Sequence, residues 1–184
     1  MGKVFVITGP SGVGKGALIR GVREQIPGLE LSVSATTRRP RTGERDGVDY
    51  HFLTPEEFGR RVQAGEFVEH AVYSGNRYGT LRSELDRRLD AGVPVMLEIE
   101  VQGARQVREA IPDAVAVFIA PPSLDALRAR LVGRGTDDAE QIDERMRTAA
   151  RELSARPEFA HVVVNDRLED ATEQLVEIVR RALQ

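Results

Sequence analysis

The sequence predicts an α/β fold, a parallel sheet flanked by helices with one small β-rich insertion. Three observations predict it. Short, continuous β-branched runs recur along the chain, the pattern of strands buried on both faces. Apolar stripes at helical spacing separate them, and strands alternating with helices imply parallel pairing. A glycine-rich turn, "GPSGVGKG" at residues 9–16, joins the first such run to the first stripe.

The elements follow in order. "KVFVIT" (Lys3–Thr8) is the first strand, and Leu18, Val22 and Ile26 form a helical stripe that stops at Pro27-Gly28. Residues 33–80 break the rhythm. They are rich in Arg, Gly, Thr and Tyr, with strand-like "YHFL" and "EFVEHAVY" and a short helix opened by "TPEEF". There Thr54 is the expected N-cap, Pro55 fits the first helical position and Glu57 the third. This stretch reads as an insertion with its own β-structure. Leu81, Leu85 and Leu89 then share a stripe ending at Gly92. "PVMLEI" (Pro94–Ile99), "AVAVFIA" (Ala114–Ala120) and "HVVVN" (His161–Asn165) are three more buried strands. Ile142, Met146, Ala149 and Leu153 mark a long helix, and Leu175, Ile178, Val179 and Ala182 mark the last. Residues 133–139, "GRGTDDA", are a polar loop between two helices.

Composition narrows the function classes. The 184 residues suit one core with small insertions; 41% are apolar and 30% charged. The 26 basic and 29 acidic residues give a net charge of −3, which argues against nucleic acid or an anionic membrane as main partner. There is no cysteine, so disulfides, thiolate metal sites and cysteine nucleophiles are excluded. No run reaches transmembrane length, and "MGKVFVITG" leads into a strand rather than a signal peptide, so the cytoplasm is expected. His51, His70 and His161 are scattered and read as structural. No residue reads as a committed nucleophile.

The glycine turn carries chemistry because of its context. Gly9, Gly12 and Gly14 let the backbone wrap a phosphate with N–H groups turned inward, and the following helix adds its positive end. Lys15 stands where it reaches the outer phosphates of a nucleotide. The usual pattern follows that lysine with Ser or Thr, whose hydroxyl meets magnesium; here Gly16 and Ala17 offer none. Magnesium keeps several waters readily, so carboxylates at the end of a neighbouring strand can hold those waters instead. Glu98 and Glu100, in the apolar run "VMLEIEV", are placed for that; water or local arginines are their plainer partners.

In "SVSATTRRPRTGERDGVDYHF" (Ser32–Phe52), Arg39 and Arg45 suit a solvated face. Arg38 and Arg41, braced by Pro40 and joined by Tyr50 and Tyr78, suit a rigid fork for a second phosphate.

These segments, with "FVEHAVYSGNRYGT", "VMLEIEVQGARQV", "IAPPS", "RLVGRGTDD" and "VVVND", closely resemble the guanylate kinase family in order and spacing over essentially the whole chain. The resemblance implies a P-loop core at 1–32 and 81–184, a GMP-binding insertion at 33–80 and a mobile helical lid at about 124–148. It implies ATP-dependent phosphorylation of GMP, and of dGMP, in purine nucleotide metabolism, with magnesium. ATP would lie against Gly9, Pro10, Ser11, Gly12, Val13, Gly14, Lys15 and Gly16, with Arg130, Arg134 and Asn165 nearby and Asn165 near its base. Arg38, Arg41, Tyr50 and Tyr78 would hold the GMP phosphate, and Ser34, Glu69, Thr80 and Glu100 the guanine end. Lys15, Arg38, Arg41, Arg134 and Arg145 would carry catalysis, the last two from the lid. Glu98 would hold magnesium through water. The chain departs from the pattern at Gly16-Ala17, and Glu98 and Glu100 stand where some relatives carry aspartate.

Guanine recognition has a physical basis. Guanine offers two adjacent donors, N1–H and N2–H, and the acceptor O6; a carboxylate takes both donors and a serine hydroxyl donates to O6. Adenine leaves these groups unpaired, a discrimination on the order of ten-thousand-fold. By itself Glu69 reads equally as an exposed residue on an edge strand, alternating with Val68 and His70. Two other implications compete. A P-loop kinase for another small phosphate is disfavoured by Ser34 with Glu69. A non-catalytic phosphopeptide-binding module, built on Arg38, Arg41 and Tyr50, is disfavoured by the retained Lys15, Arg134 and Arg145.

Overall fold

The computed structural model describes residues 2–133, 135 and 138–184. In chain order the elements are β1 (Val4–Thr8), α1 (Lys15–Gln25), β2 (Glu30–Leu31), β3 (Ala35–Thr36), β4 (His51–Phe52), α2 (Pro55–Gln63), β5 (Phe67–Tyr73), β6 (Asn76–Leu81), α3 (Arg82–Asp90), β7 (Val95–Glu98), α4 (Val101–Ala110), β8 (Val115–Ala120), α5 (Leu124–Gly133), α6 (Ala139–Ser154), a short 3-10 turn (Arg156–Glu158), β9 (His161–Val164) and α7 (Leu168–Leu183). They form two compact units, Met1–Val6 with Leu29–Ala114 and Ile7–Gly28 with Val115–Gln184, so β1 contributes to both.

In the first unit the strands of the main sheet run in the order β2-β7-β1. β2 lies parallel to β7, with Glu30 opposite Val95 and Leu31 opposite Met96. A second, mixed sheet has the order β4-β3-β6-β5. Its β3–β4 pair is parallel, while β3–β6 and β5–β6 are antiparallel. This sheet has its own core: Ala35, Phe58, Phe67 and Leu81 are buried, with Leu53 and Val62 packed on them. Phe58 stacks on Phe67 with ring centroids 4.5 Å apart. Burying a side chain such as Phe58 contributes roughly 1.5–3 kcal/mol, which anchors α2 to the sheet. Thr54 caps α2 as expected, its hydroxyl accepting from the Glu57 N–H, with Pro55 at the start.

In the second unit the order is β1-β8-β9, and β8 runs parallel to β9 from Val117 opposite His161 to Ala120 opposite Val164. α1 packs along α7, where Gly21 leaves room for the Thr172 methyl group. α6 opens on a reciprocal cap: Asp138 accepts from the Gln141 N–H while the Gln141 side chain accepts from the Asp138 N–H.

The expected architecture stands, with the four strands in place; β9, the outer strand of its sheet, is not buried on both faces, since His161 and Val164 are exposed. Strands β2, β3 and β6 and helix α4 are additions to it. Leu81 closes β6 rather than opening a helix stripe; α3 starts after it and buries Leu85 and Leu89. Arg134, expected to reach the transferring phosphate, lies outside the described residues. Among the described residues, no helix is long and apolar enough to cross a membrane.

Candidate active site

The turn from β1 to α1 is built by close approach. A Cβ on Gly9 would stand 2.2 Å from the Ile119 carbonyl oxygen, and one on Gly14, at φ +99°, would stand 2.5 Å from the Asn165 amide nitrogen. Side chains at either position would push the loop off its supports. The Lys15 Nζ donates to the Gly9 carbonyl at 2.5 Å and to the Pro10 carbonyl at 3.3 Å, so the buried ammonium lies inside the curl of the loop. The loop backbone tightens where Val13 N–H donates to the Pro10 carbonyl (3.2 Å).

Three expected residues converge on this loop. Asn165 Nδ2 donates to the Val13 carbonyl at 2.8 Å. Arg130 donates to the carbonyls of Val13 (3.4 Å), Asn165 (2.8 Å) and Asp166 (3.2 Å). Arg145, from α6, donates to the Ser11 hydroxyl at 3.3 Å. Arg130 and Asn165 are therefore loop braces here, with the Asn165 amide under Val13.

A second cluster gathers in the other unit. Arg38 gives one terminal nitrogen to each carboxylate oxygen of Glu44 (3.0 and 2.9 Å) and also donates to the Arg39 carbonyl (2.8 Å). The Arg41 N–H donates to Glu44 as well (2.7 Å). These bonds, the one from Arg38 foremost, hold the Glu44 carboxyl below the usual carboxylate range. The Arg38 guanidinium lies 5.2 Å from the Tyr50 ring centre, and Tyr50 meets Tyr78 edge-on at 6.2 Å. Burial pushes the Tyr50 phenol up, with lesser contributions from Tyr78 and Glu98. Arg38, Tyr50 and Tyr78 are thus brought together. Arg41 and Arg39 are exposed, and the Ser34 carbonyl accepts from the His51 N–H at 2.9 Å. Glu44 escaped the sequence reading; its place three residues after Arg41 in "RTGE" was the available signal.

Beyond this fork lie the carboxylates. Glu69 is buried, 4% exposed, and so is not the alternating surface residue its strand pattern allows. A bulge explains this: Phe67 pairs with Leu81 but Glu69 pairs with Thr80, so two steps along β5 match one along β6. The extra residue lets Phe67, Val68 and Glu69 all be buried. The Thr80 hydroxyl donates to Glu69 Oε1 at 2.8 Å. Burial pushes the Glu69 carboxyl up to about 7; the Thr80 hydrogen bonds oppose this and the charge of Glu100 adds to it. Glu100 keeps one buried carboxylate oxygen that meets no hydrogen-bond donor among the described residues. Glu98, at the end of β7, is exposed. No group of three or more His, Cys, Asp or Glu among the described residues could hold a metal ion. The histidines lie apart: His51 approaches Glu84 at 3.2 Å, and His70 and His161 are exposed.

Comparison with known proteins gives these clusters a context. The family model described as guanylate kinase matches residues 1–182. A guanylate kinase of Frankia casuarinae is 55% identical over 174 residues, spanning 95% of each chain. One from Rubrobacter xylanophilus is 50% identical over 180 residues, covering 98% of this chain and 94% of the relative. The crystal structure of guanylate kinase from Anaplasma phagocytophilum superposes with a TM-score of 0.79 at 34% identity, covering all of this chain and 87% of that one.

Proposed function

The chain belongs to the guanylate kinase family and phosphorylates GMP with ATP, and we propose that the two clusters divide that work between donor and acceptor. Residues Gly9–Gly16 bind the ATP phosphates, with Arg130 and Asn165 holding the loop in shape. Arg38, Arg41, Tyr50 and Tyr78 take the GMP phosphate. Ser34, Glu69, Thr80 and Glu100 read the base. The observation that carries this reading is the buried Glu69 carboxylate, seated on the Thr80 hydroxyl. An ionised carboxylate in such a place is costly unless a ligand supplies donors. Guanine brings two, side by side. The orphaned oxygen of Glu100 nearby favours the same donor-rich ligand.

The reaction is direct in-line transfer. The GMP phosphate is already an anion, so no general base is needed, and catalysis rests on positioning and charge neutralisation. Lys15 leaves the carbonyls of Gly9 and Pro10 for the outer phosphates of ATP. Arg145 leaves Ser11 for the moving phosphoryl group, joined by Arg134, as residues 124–148 close like a lid. Gly16 and Ala17 offer no hydroxyl, so magnesium would be held by the ATP phosphates and water, and Glu98 would reach one of those waters. When bound it neutralises phosphate charge. The reading extends to dGMP as a second acceptor. The domain limits are a GMP-binding insertion at 33–80 and a core at 1–32 and 81–184 that lends Glu100 to the acceptor site, and a cytoplasmic setting suits an enzyme of free nucleotides.

The test is ADP formation with GMP, dGMP, AMP, CMP and UMP as acceptors. GMP and dGMP should be used far faster than the rest. Equal rates with AMP would remove Glu69 and Ser34 as the base readers.

A further inference from the structure

Helix α4 carries a glycine where a helix would ordinarily prefer alanine. Gly103 is the third residue of α4, buried, and its backbone is not in the left-handed region. Glycine within a helix is less favourable than alanine, and here no turn or special dihedral accounts for it. What accounts for it is the neighbour. A Cβ on Gly103 would stand 2.3 Å from Glu69 Oε2, 3.0 Å from its Cδ and 3.5 Å from its Cγ. All three close contacts belong to one side chain.

The helix cannot slide away to make room. One turn further on, Gln106 accepts from the His70 N–H (3.1 Å) and donates to the His70 carbonyl (2.8 Å). That pair of hydrogen bonds to the residue next to Glu69 fixes α4 on β5. On the other side, Thr80 pins Glu69 Oε1 at 2.8 Å. Any side chain at 103 must therefore be accommodated by the carboxylate itself, the flexible end of Glu69, rather than by the backbone. The fold survives such a change and the carboxylate moves.

We propose that Gly103 is a positioning residue for base selection: the absence of its side chain forms the seat on which the Glu69 carboxylate is held to face guanine. This rests on the reading of Glu69 as the guanine acceptor, and the test separates the two. Gly103→Ala displaces one carboxylate oxygen by about an ångström, and misplacement of that size costs up to about a hundredfold. The rise should appear in KM for GMP, with kcat and KM for ATP nearly unchanged. Glu69→Asp draws the carboxylate back by one methylene, so the double variant Gly103→Ala/Glu69→Asp should lose less than the product of the two single losses.

Gly103→Ala with an unchanged KM for GMP overturns the proposal, while loss of GMP use in Glu69→Gln keeps the guanine reading standing. Full GMP use by Glu69→Gln sinks both. Equal losses toward GMP and ATP would make Gly103 a mere packing residue and overturn the proposal too. If Gly103→Ala does not fold, adding Glu69→Ala removes the clashing atoms and must restore the melting transition; no restoration overturns it.

Discussion

Replacing Glu69 by glutamine should gain stability relative to the wild type as pH rises while losing function, and pH separates the two effects. In the folded chain the Glu69 carboxyl is pushed up to about 7, against an ordinary value of 4.5. Between these values the folded state keeps a proton that the unfolded state releases. Stability therefore falls as pH rises from about 4.5 to about 7, and levels off above. A tenfold change in proton affinity corresponds to about 1.4 kcal/mol, so the ionised carboxylate costs the fold about 3 kcal/mol at pH 8. Glutamine keeps the oxygen that Thr80 binds and never ionises. It adds two amide protons, whose cost is the same at every pH. The informative quantity is the gap in unfolding free energy between Glu69→Gln and the wild type, measured by denaturant titration from pH 5 to pH 8. It should grow in the variant's favour by about 2–3 kcal/mol across that range. GMP turnover should collapse in the same variant, because an amide cannot accept both guanine donors. A gap that stays constant with pH would refute the account of Glu69 as a carboxyl strained by burial, whatever happens to activity.

Other outcomes follow from the two clusters. Lys15→Ala should lower kcat by about a hundred- to a thousandfold, since its charge counts most as the phosphoryl group moves; Arg41→Ala should instead raise KM for GMP, and steady-state kinetics with each nucleotide varied distinguishes them. In a magnesium titration at fixed ATP and GMP, Gly16→Ser or Ala17→Thr should change the requirement only a few-fold, under about 1.4 kcal/mol. Glu98→Gln should raise it, and a hundredfold gain from a restored hydroxyl would mark the loop as damaged instead. Hydrogen exchange in α5 and α6 should slow more with both nucleotides bound than with either alone, and the absence of extra protection would argue against a closing lid.

Much of the scaffold was legible because burial leaves a periodic trace. Val4–Thr8 and Val115–Ala120 announce themselves as unbroken apolar runs, and Thr54-Pro55 writes the start of α2 into the chain. What was lost lacks such a trace. β2 and β3 are two residues each, too short for any period. α4 buries Val101, Gly103, Ala104 and Val107, small residues around a glycine, so no leucine stripe betrays it. The site divides the same way. The glycine loop is local in sequence and could be read. Glu69 could not be told from a surface residue, because its burial depends on a bulge that shifts register against β6. The Glu44 clasp on Arg38 is local, within six residues, but the Gly103 seat is a product of tertiary approach, which no spacing along the chain encodes.

The Gln106 clamp has a meaning apart from catalysis. β5 is the outer strand of its sheet, and such a strand offers unpaired N–H and C=O groups to any extended chain that drifts past. His70 turns both of these groups outward, and a single amide side chain answers both. Gln106 thus mimics one residue of a neighbouring strand, closing the slot where a foreign segment would begin to zip on. The side chain that closes this slot is one assigned to neither nucleotide.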